Sequence, residues 1–153
     1  MAERKATTTM AGAVGGVALP GGPARDVVVL RLPAVGAYLS VLRTATASLA
    51  SRLDFTIDDI EDLRIAVDEA CAMLLTQAMA GADLECRFEL TFDAIDVAVS
   101  VLTLDGQEPS RDTFAWTVLT ALAGEVNSTV DADNRVTLVL HKRKAVDDEV
   151  PAL

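Results

Sequence analysis

Hydrophobic and polar residues alternate along this chain with two different periods, and the period indicates where strands and helices lie. In residues 84–92 every second residue is apolar and those between are polar, which predicts a strand with one buried and one solvated face. Its expected buried residues are Leu84, Cys86, Phe88, Leu90 and Phe92. From Thr56, the expected N-cap, apolar residues instead recur at steps of three and four, so we predict a long helix that ends at Gly81.

The segments on either side of this strand and helix predict further elements. A β-branched run at residues 26–32 predicts a strand, and Pro33 is expected to open a helix over residues 34–53. A turn at residues 93–94 should join residues 84–92 to a second strand at residues 96–104, as an antiparallel hairpin.

The C-terminal third of the chain predicts a third helix and two closing strands. Residues 113–126 form the predicted helix, which is expected to stop near Gly124. The residues expected along its buried side are Phe114, Val118, Ala121 and Leu122. A short strand then leads through a turn at residues 133–134 into a last strand, which is expected to bury Val136, Leu138 and Leu140.

This order of elements, β-α-α-β-β-α-β-β, determines the expected fold class. One-sided strands and helices with single apolar stripes favour an α+β protein, a two-layer α/β sandwich. We predict a mostly antiparallel sheet with three helices on one face, formed by residues 26–143. Residues 1–25 place charged residues ahead of apolar ones, as a signal peptide does, but glycines interrupt the apolar stretch. We therefore interpret residues 1–25 as a disordered tail and residues 144–153 as a C-terminal tail.

Composition and charge narrow the classes of function. The chain is 51% apolar and 24% charged, and its 153 residues suffice for one globular domain without disulfides or metals. A net charge of -10 argues against direct binding to nucleic acid or anionic lipid and suits a basic protein partner. An equally good interpretation is that the acidity only keeps a cytoplasmic protein soluble. No apolar run approaches the length of about 20 residues that a membrane span needs.

Few residues are available for metal or redox chemistry. His141 is the only histidine, and we interpret the basic run at residues 141–144 as solvating the last strand. Cys71 and Cys86 fall in elements that are predicted to be buried, without the spacing of a metal site. We therefore predict no metal site and interpret both cysteines as core residues.

Two adjacent acids, Asp68 and Glu69, interrupt the apolar run of the long helix. Asp68 follows Arg64 by one turn and can pair with it. Glu69 is flanked by Ile65 and Met73, which leaves two interpretations open. Either Glu69 lies at the edge of the buried stripe and reaches water or a neighbouring cation, or it lines a pocket and acts as a general base.

The segment DLRIAVDEACAMLL, the order of elements and the helix FAWTVLTALAGEV before the last two strands resemble one family. It is the family of anti-sigma-factor serine kinases, within the GHKL (histidine-kinase-like ATPase) superfamily, and the resemblance covers about residues 26–143. In that family a glutamate of this segment, the N box, activates the substrate hydroxyl, and an asparagine four residues later binds magnesium. Glu69 matches the glutamate. Met73 stands at the asparagine position and cannot ligate a hard cation through oxygen.

The other nucleotide-binding motifs of the family are degenerate in this chain. The family's Asp-x-Gly-x-Gly box, whose Asp reads adenine, is represented only by TLDGQEPS. By strand length the adenine-reading position falls near Thr103, whereas Asp105 and Gly106 are adjacent and no second glycine follows. Only seven residues separate Gly106 from Phe114, so the family's long lid and its Gly-x-Gly phosphate cradle are missing. We therefore expect no cofactor, with weak binding of ATP and magnesium as the alternative.

The resemblance also implies a protein-binding surface. In the family an arginine of the first long helix contacts both the sigma factor and the antagonist that displaces it, and Arg43 stands at that position. Taken alone, Arg43 is equally well interpreted as an ordinary solvated arginine. The resemblance implies a cytoplasmic anti-sigma factor that sequesters an alternative sigma factor and is released by an anti-anti-sigma antagonist, which is called partner switching. It also implies a homodimer formed through the sheet edge and the first helix.

Three other functions stay open on the sequence alone. The first is an active ATP-dependent serine/threonine kinase that phosphorylates the antagonist, with Glu69 as the base. The second is a non-catalytic binding module for another signalling partner. The third is a small-molecule sensor, whose cleft would be lined near Glu69, Met73 and Thr103.

Overall fold

The computed structural model of the protein describes residues 25–145. The strands are β1 (Asp26–Pro33), β2 (Asp83–Leu90), β3 (Ala94–Leu102), β4 (Glu125–Val130) and β5 (Arg135–Arg143). The helices are α1 (Leu39–Ser51), which follows a 3-10 turn at Gly36–Tyr38, α2 (Ile57–Leu75) and α3 (Phe114–Ala123). The predicted order of elements is confirmed. Apart from residues 25, 144 and 145, the two predicted tails lie outside the described residues.

The strands form one antiparallel sheet in the order β1-β2-β3-β5-β4, which buries one face against the helices. Phe88 at the centre of β2 pairs in register with Val28 of β1 and Val97 of β3, and Val97 pairs with Leu140 of β5. The α2 helix contacts β3, the central strand, and its neighbour β5, and it is flanked by α1 and α3. This arrangement confirms the predicted two-layer α/β sandwich. It also places α2, the helix with Asp68 and Glu69, in the middle of the helical layer.

Several local signals in the sequence act as predicted. The Thr56 side chain caps α2 by accepting a hydrogen bond from the backbone N–H of Asp59, at 3.1 Å. At the end of α3, Gly124 adopts a φ of 91° and donates its N–H to the carbonyl of Thr120, as expected of a C-terminal glycine. Within residues 25–145, none of the helices is both long and apolar enough to cross a membrane.

The first two helices are shorter than predicted, because the chain beside each of them pairs with the sheet. The backbone N–H of Ala34 donates to the carbonyl of Ala82 at 3.0 Å, which keeps the chain extended past Pro33 and delays α1. Similarly, the N–H of Met79 donates to the carbonyl of Leu102 at 2.9 Å, so α2 ends before Gly81. Both errors have one cause, since local periodicity carries no information on these long-range backbone bonds.

Two predictions of buried faces were also wrong. Phe92 lies beyond β2, in the hairpin turn, and is 81% exposed. In α3 the buried residues are Trp116, Leu119 and Ala123, while Phe114 is 83% exposed. Because almost every residue of α3 is apolar, its sequence offers little contrast between two possible faces.

Candidate functional site

Glu69 lies half-buried near the middle of α2, where the resemblance places a catalytic base. Its carboxylate forms no hydrogen bond or ion pair within residues 25–145. Ile65, one turn before it, is exposed, whereas Met73, one turn after it, packs partly against the core. Glu69 is therefore accessible from the surface. Its neighbour one turn later, Met73, offers a thioether sulfur where the resemblance implies an asparagine amide oxygen.

Asp68 does not pair with Arg64, as the sequence suggested, but with Arg43 on the neighbouring helix. Nη1 of Arg43 lies 3.2 Å from Oδ1 and 3.3 Å from Oδ2 of Asp68. Arg64 instead donates to Glu61 at 2.8 Å, within its own helix. Arg43, which the resemblance places at the family's partner-binding position, is thus tied to the segment that resembles the N box.

Thr103, at the expected adenine-reading position, uses its hydroxyl within the protein. The side chain is buried, and its Oγ1 donates to the carbonyl of Asn134 at 2.7 Å. The same oxygen accepts the N–H of Gly106 at 2.9 Å. Both hydrogen bonds close the start of the loop after β3, so this hydroxyl is engaged in the turn rather than free for a ligand.

A cavity of about 390 Å³ lies between the ends of α2 and β3. Its lining residues are Thr76, Gln77, Ala78, Leu104, Asp105 and Gln107. Asp105 therefore lines the cavity, and its carboxylate accepts the N–H of Gln107 at 3.3 Å. Glu69, Met73 and Thr103, the residues expected around a residual cleft, do not line this cavity.

The loop between β3 and α3, where the resemblance implies a missing lid, is short and is held by side-chain contacts. Arg111 stacks on the Trp116 ring, with its guanidinium carbon 5.0 Å from the ring centroid. Arg111 also donates to the hydroxyl of Ser128 on β4 at 3.4 Å, and that hydroxyl donates to Glu108. These contacts hold the loop against α3 and β4.

Magnesium and ATP do not fit the described residues in the way the resemblance would require. Met73 offers sulfur in place of a hard oxygen ligand, and the hydroxyl of Thr103 is engaged internally. The α3 helix begins with a threonine cap, because Thr113 accepts the N–H of Trp116 at 3.1 Å, and it has no Gly-x-Gly cradle. In the part of the chain that the structure describes, no group of three His, Cys, Asp or Glu residues could hold a metal ion.

We expect Gly106→Ala to destabilise the domain by about 1 to 3 kcal/mol. Gly106 has a φ of +67°, and a Cβ there would lie 2.6 Å from Oδ1 of Asn134. Thermal and urea denaturation of the variant measure the loss. Gly81→Ala is a partial control, since its φ is +78° but its surroundings are open, and Gly36→Ala has neither constraint. A Gly106→Ala loss no larger than that of Gly36→Ala would contradict this account of the loop.

The two cysteines lie in the core, as predicted. Both side chains are fully buried, one on α2 and the other on β2. Burial, with a smaller contribution from the Asp68 carboxylate, raises the pKa of Cys71 to about 12. Burial raises the pKa of Cys86 as well, with smaller contributions from Cys71 and Glu85. Neither thiol is therefore a reactive thiolate at neutral pH.

Comparisons with known proteins confirm the resemblance to the anti-sigma-factor serine kinases. The serine-protein kinase RsbW of Bacillus velezensis is 35% identical over 78 residues, which cover 49% of this chain and 49% of that protein. The anti-sigma-F factor RsbW of Mycobacterium tuberculosis is 33% identical over 90 residues, 59% of this chain and 54% of that protein. This chain thus spans about half the length of the curated relatives it matches. No protein-family model matches it.

The solved structures identify the fold. A crystal structure of the RsbU and RsbW domains of a Mycobacterium tuberculosis protein superposes with a TM-score of 0.61 at 15% sequence identity. The match covers 78% of this chain and 32% of that one. The chain therefore shares its fold with part of that structure, and over about half of its length its sequence is similar to anti-sigma-factor serine kinases.

Proposed function

We propose that this protein is a cytoplasmic anti-sigma factor that sequesters an alternative sigma factor and releases it when an antagonist protein competes for an overlapping surface. Support comes from relatives that are named anti-sigma-F factor and serine-protein kinase. Because the chain matches only about half of each relative, their activities and partners come to this protein as part of the proposal.

The observation that carries the proposal is the contrast between two regions of the domain. The nucleotide-site region has Met73 in place of an oxygen ligand and a short loop held against β4 by Arg111 and Glu108. The surface formed by α1 and α2 retains Arg43, which is half-exposed at the position of the family's partner contact. A domain of this kind can bind a protein partner without needing nucleotide to organise a lid.

Charge favours a basic partner. The first turns of α2 carry Asp58, Glu61 and Asp62 toward the surface, and the whole chain has a net charge of -10. Part of this acidity matches the helix dipole, which favours negative charge at the N-terminus. The remainder attracts a basic helical domain and accelerates its association, most strongly at low ionic strength.

The proposal includes a homodimer formed through β1 and α1. β1 is an edge strand whose only partner among the described strands is β2. Val27 and Val29 are exposed on β1, and Val41 of α1 is exposed and lines a cavity together with Leu30 of β1. An edge strand with an exposed apolar surface suits pairing with a second copy.

A second candidate function is phosphotransfer to the antagonist, with Glu69 as the general base. It is favoured by the half-buried position of Glu69 on α2 and by the kinase names of the relatives. On this candidate the wild-type protein transfers phosphate from ATP to a serine of the antagonist, and Glu69→Gln abolishes the transfer. A wild type that transfers no phosphate counts against it.

Affinity capture from native lysate with and without magnesium-ATP tests the main proposal. We expect a sigma factor in both samples, because the described residues do not form the family's nucleotide site. Isothermal calorimetry should show no ATP binding at micromolar affinity. Recovery of the sigma factor only with ATP, or micromolar ATP binding, would contradict nucleotide independence. Recovery of neither sigma factor nor antagonist in either sample would contradict the proposed function itself.

A further inference from the structure

The ion pair between Arg43 and Asp68 joins α1 to α2 at the surface. The two side chains keep 41% and 36% of their exposure, so they lie within reach of a partner while packing partly against the domain. They are separated by 25 positions in the sequence and meet only because α1 and α2 pack side by side. The pair is therefore a property of the fold and not of one helix.

Only one nitrogen of the Arg43 guanidinium takes part in this contact. Nη1 approaches both oxygens of Asp68, at 3.2 Å and 3.3 Å. The hydrogen bonds of residues 25–145 leave Nε and Nη2 of Arg43 without an acceptor. These two nitrogens lie along one edge of a planar fork, and such an edge donates two parallel hydrogen bonds to a carboxylate.

We propose that Asp68 is a positioning residue, which holds Arg43 so that its Nε–Nη2 edge is presented to a carboxylate of the protein partner. This inference rests on the proposed function, in which Arg43 contacts the sigma factor and its antagonist. An unrestrained arginine loses rotamer freedom when it binds, and the contact with Asp68 removes part of that loss beforehand.

The same geometry separates the roles of the two adjacent acids on α2. Consecutive residues of an α-helix project about 100° apart. Asp68 therefore reaches α1, whereas Glu69 forms no ion pair with α1 in the described structure. Asp68 acts on Arg43, and Glu69 keeps its separate position in the segment that resembles the N box.

The first test uses the full chain without a partner. Asp68→Asn is expected to make the Arg43 side chain more mobile, seen as a lower heteronuclear NOE for its Nε–H group by NMR. Glu61→Gln is the matched control, because it removes the same charge from the same helix but breaks the pair with Arg64. An Arg43 signal that is as ordered in Asp68→Asn as in the wild type would overturn the proposal.

The second test measures the affinity for the sigma factor recovered by the capture experiment. Asp68→Asn is expected to weaken binding about threefold to fivefold, whereas Glu61→Gln changes it less. In an Arg43→Ala background, Asp68→Asn should have no further effect, and Arg43→Lys should not restore binding, because lysine lacks the fork. An equal effect of Asp68→Asn with and without Arg43 would overturn the positioning role. If no sigma factor binds the wild type, the proposed function fails, while the NMR measurement still decides whether Asp68 orders Arg43.

Discussion

Replacing Phe88 with alanine is expected to destabilise the domain by about 3 to 5 kcal/mol. Phe88 is fully buried at the centre of β2, between Val28 on one side and Val97 on the other. Its removal loses the transfer free energy of the ring and leaves a cavity that β2, held between β1 and β3, cannot fill by collapse. Urea denaturation followed by circular dichroism measures the change in the free energy of unfolding.

Phe92→Ala is a matched control for this prediction, since it removes the same side chain four residues further along. Because Phe92 is 81% exposed, its replacement should change the free energy of unfolding by less than about 0.5 kcal/mol. Equal losses for the two variants would mean that residues 84–92 form one continuous strand, as their alternation suggests, and that the hairpin turn lies elsewhere.

Replacing Lys142 with alanine is expected to cost about 2 to 3 kcal/mol, a large effect for a lysine. Its Nζ lies 3.0 Å from the carbonyl of Leu122 at the end of α3 and 3.7 Å from Oδ1 of Asp59 in the first turn of α2. The two charged side chains are only 15% and 18% exposed, and Oδ2 of Asp59 has no partner among the described residues. Without Lys142 the carboxylate would be left largely buried and unpaired.

Arg143→Ala is the control for the loss of Lys142, because it removes the neighbouring positive charge from an exposed position on the same strand. We expect it to change the free energy of unfolding by less than about 0.5 kcal/mol. In an Asp59→Asn background, Lys142→Ala should cost less than in the wild type, because the unpaired charge is already gone. Losses of equal size for Lys142→Ala in the two backgrounds would contradict the coupling between these residues.

The elements of this fold could be predicted because they depend on local signals. Thr56 caps α2 through a contact three residues away, and the alternation in β2 reports directly which of its residues are buried. A mostly antiparallel sheet with one covered face then follows from one-sided strands and single-striped helices. The resemblance to the anti-sigma-factor kinases could also be stated in advance, because the segment around Glu69 retains half of a specific motif.

The side-chain partners could not be predicted, because they depend on contacts between distant parts of the chain. Asp68 had Arg64 one turn away, yet it pairs with Arg43 across the α1–α2 contact. Lys142 lies in a basic run that was expected to be solvated, but the end of α3 and the start of α2 enclose it. The roles of Glu69 in catalysis and of Arg43 in partner binding stay predictions, which the experiments above address.

The pairing of β1 has a consequence for how the protein folds during synthesis. β1 is the first described strand to leave the ribosome, but its neighbour β2 follows only after α1 and α2. At roughly 5 to 20 residues per second, the emergence of β2 follows that of β1 by several seconds. Throughout that interval the valine-rich β1 lacks its partner strand, and an unpaired strand is a site at which nascent chains misassemble.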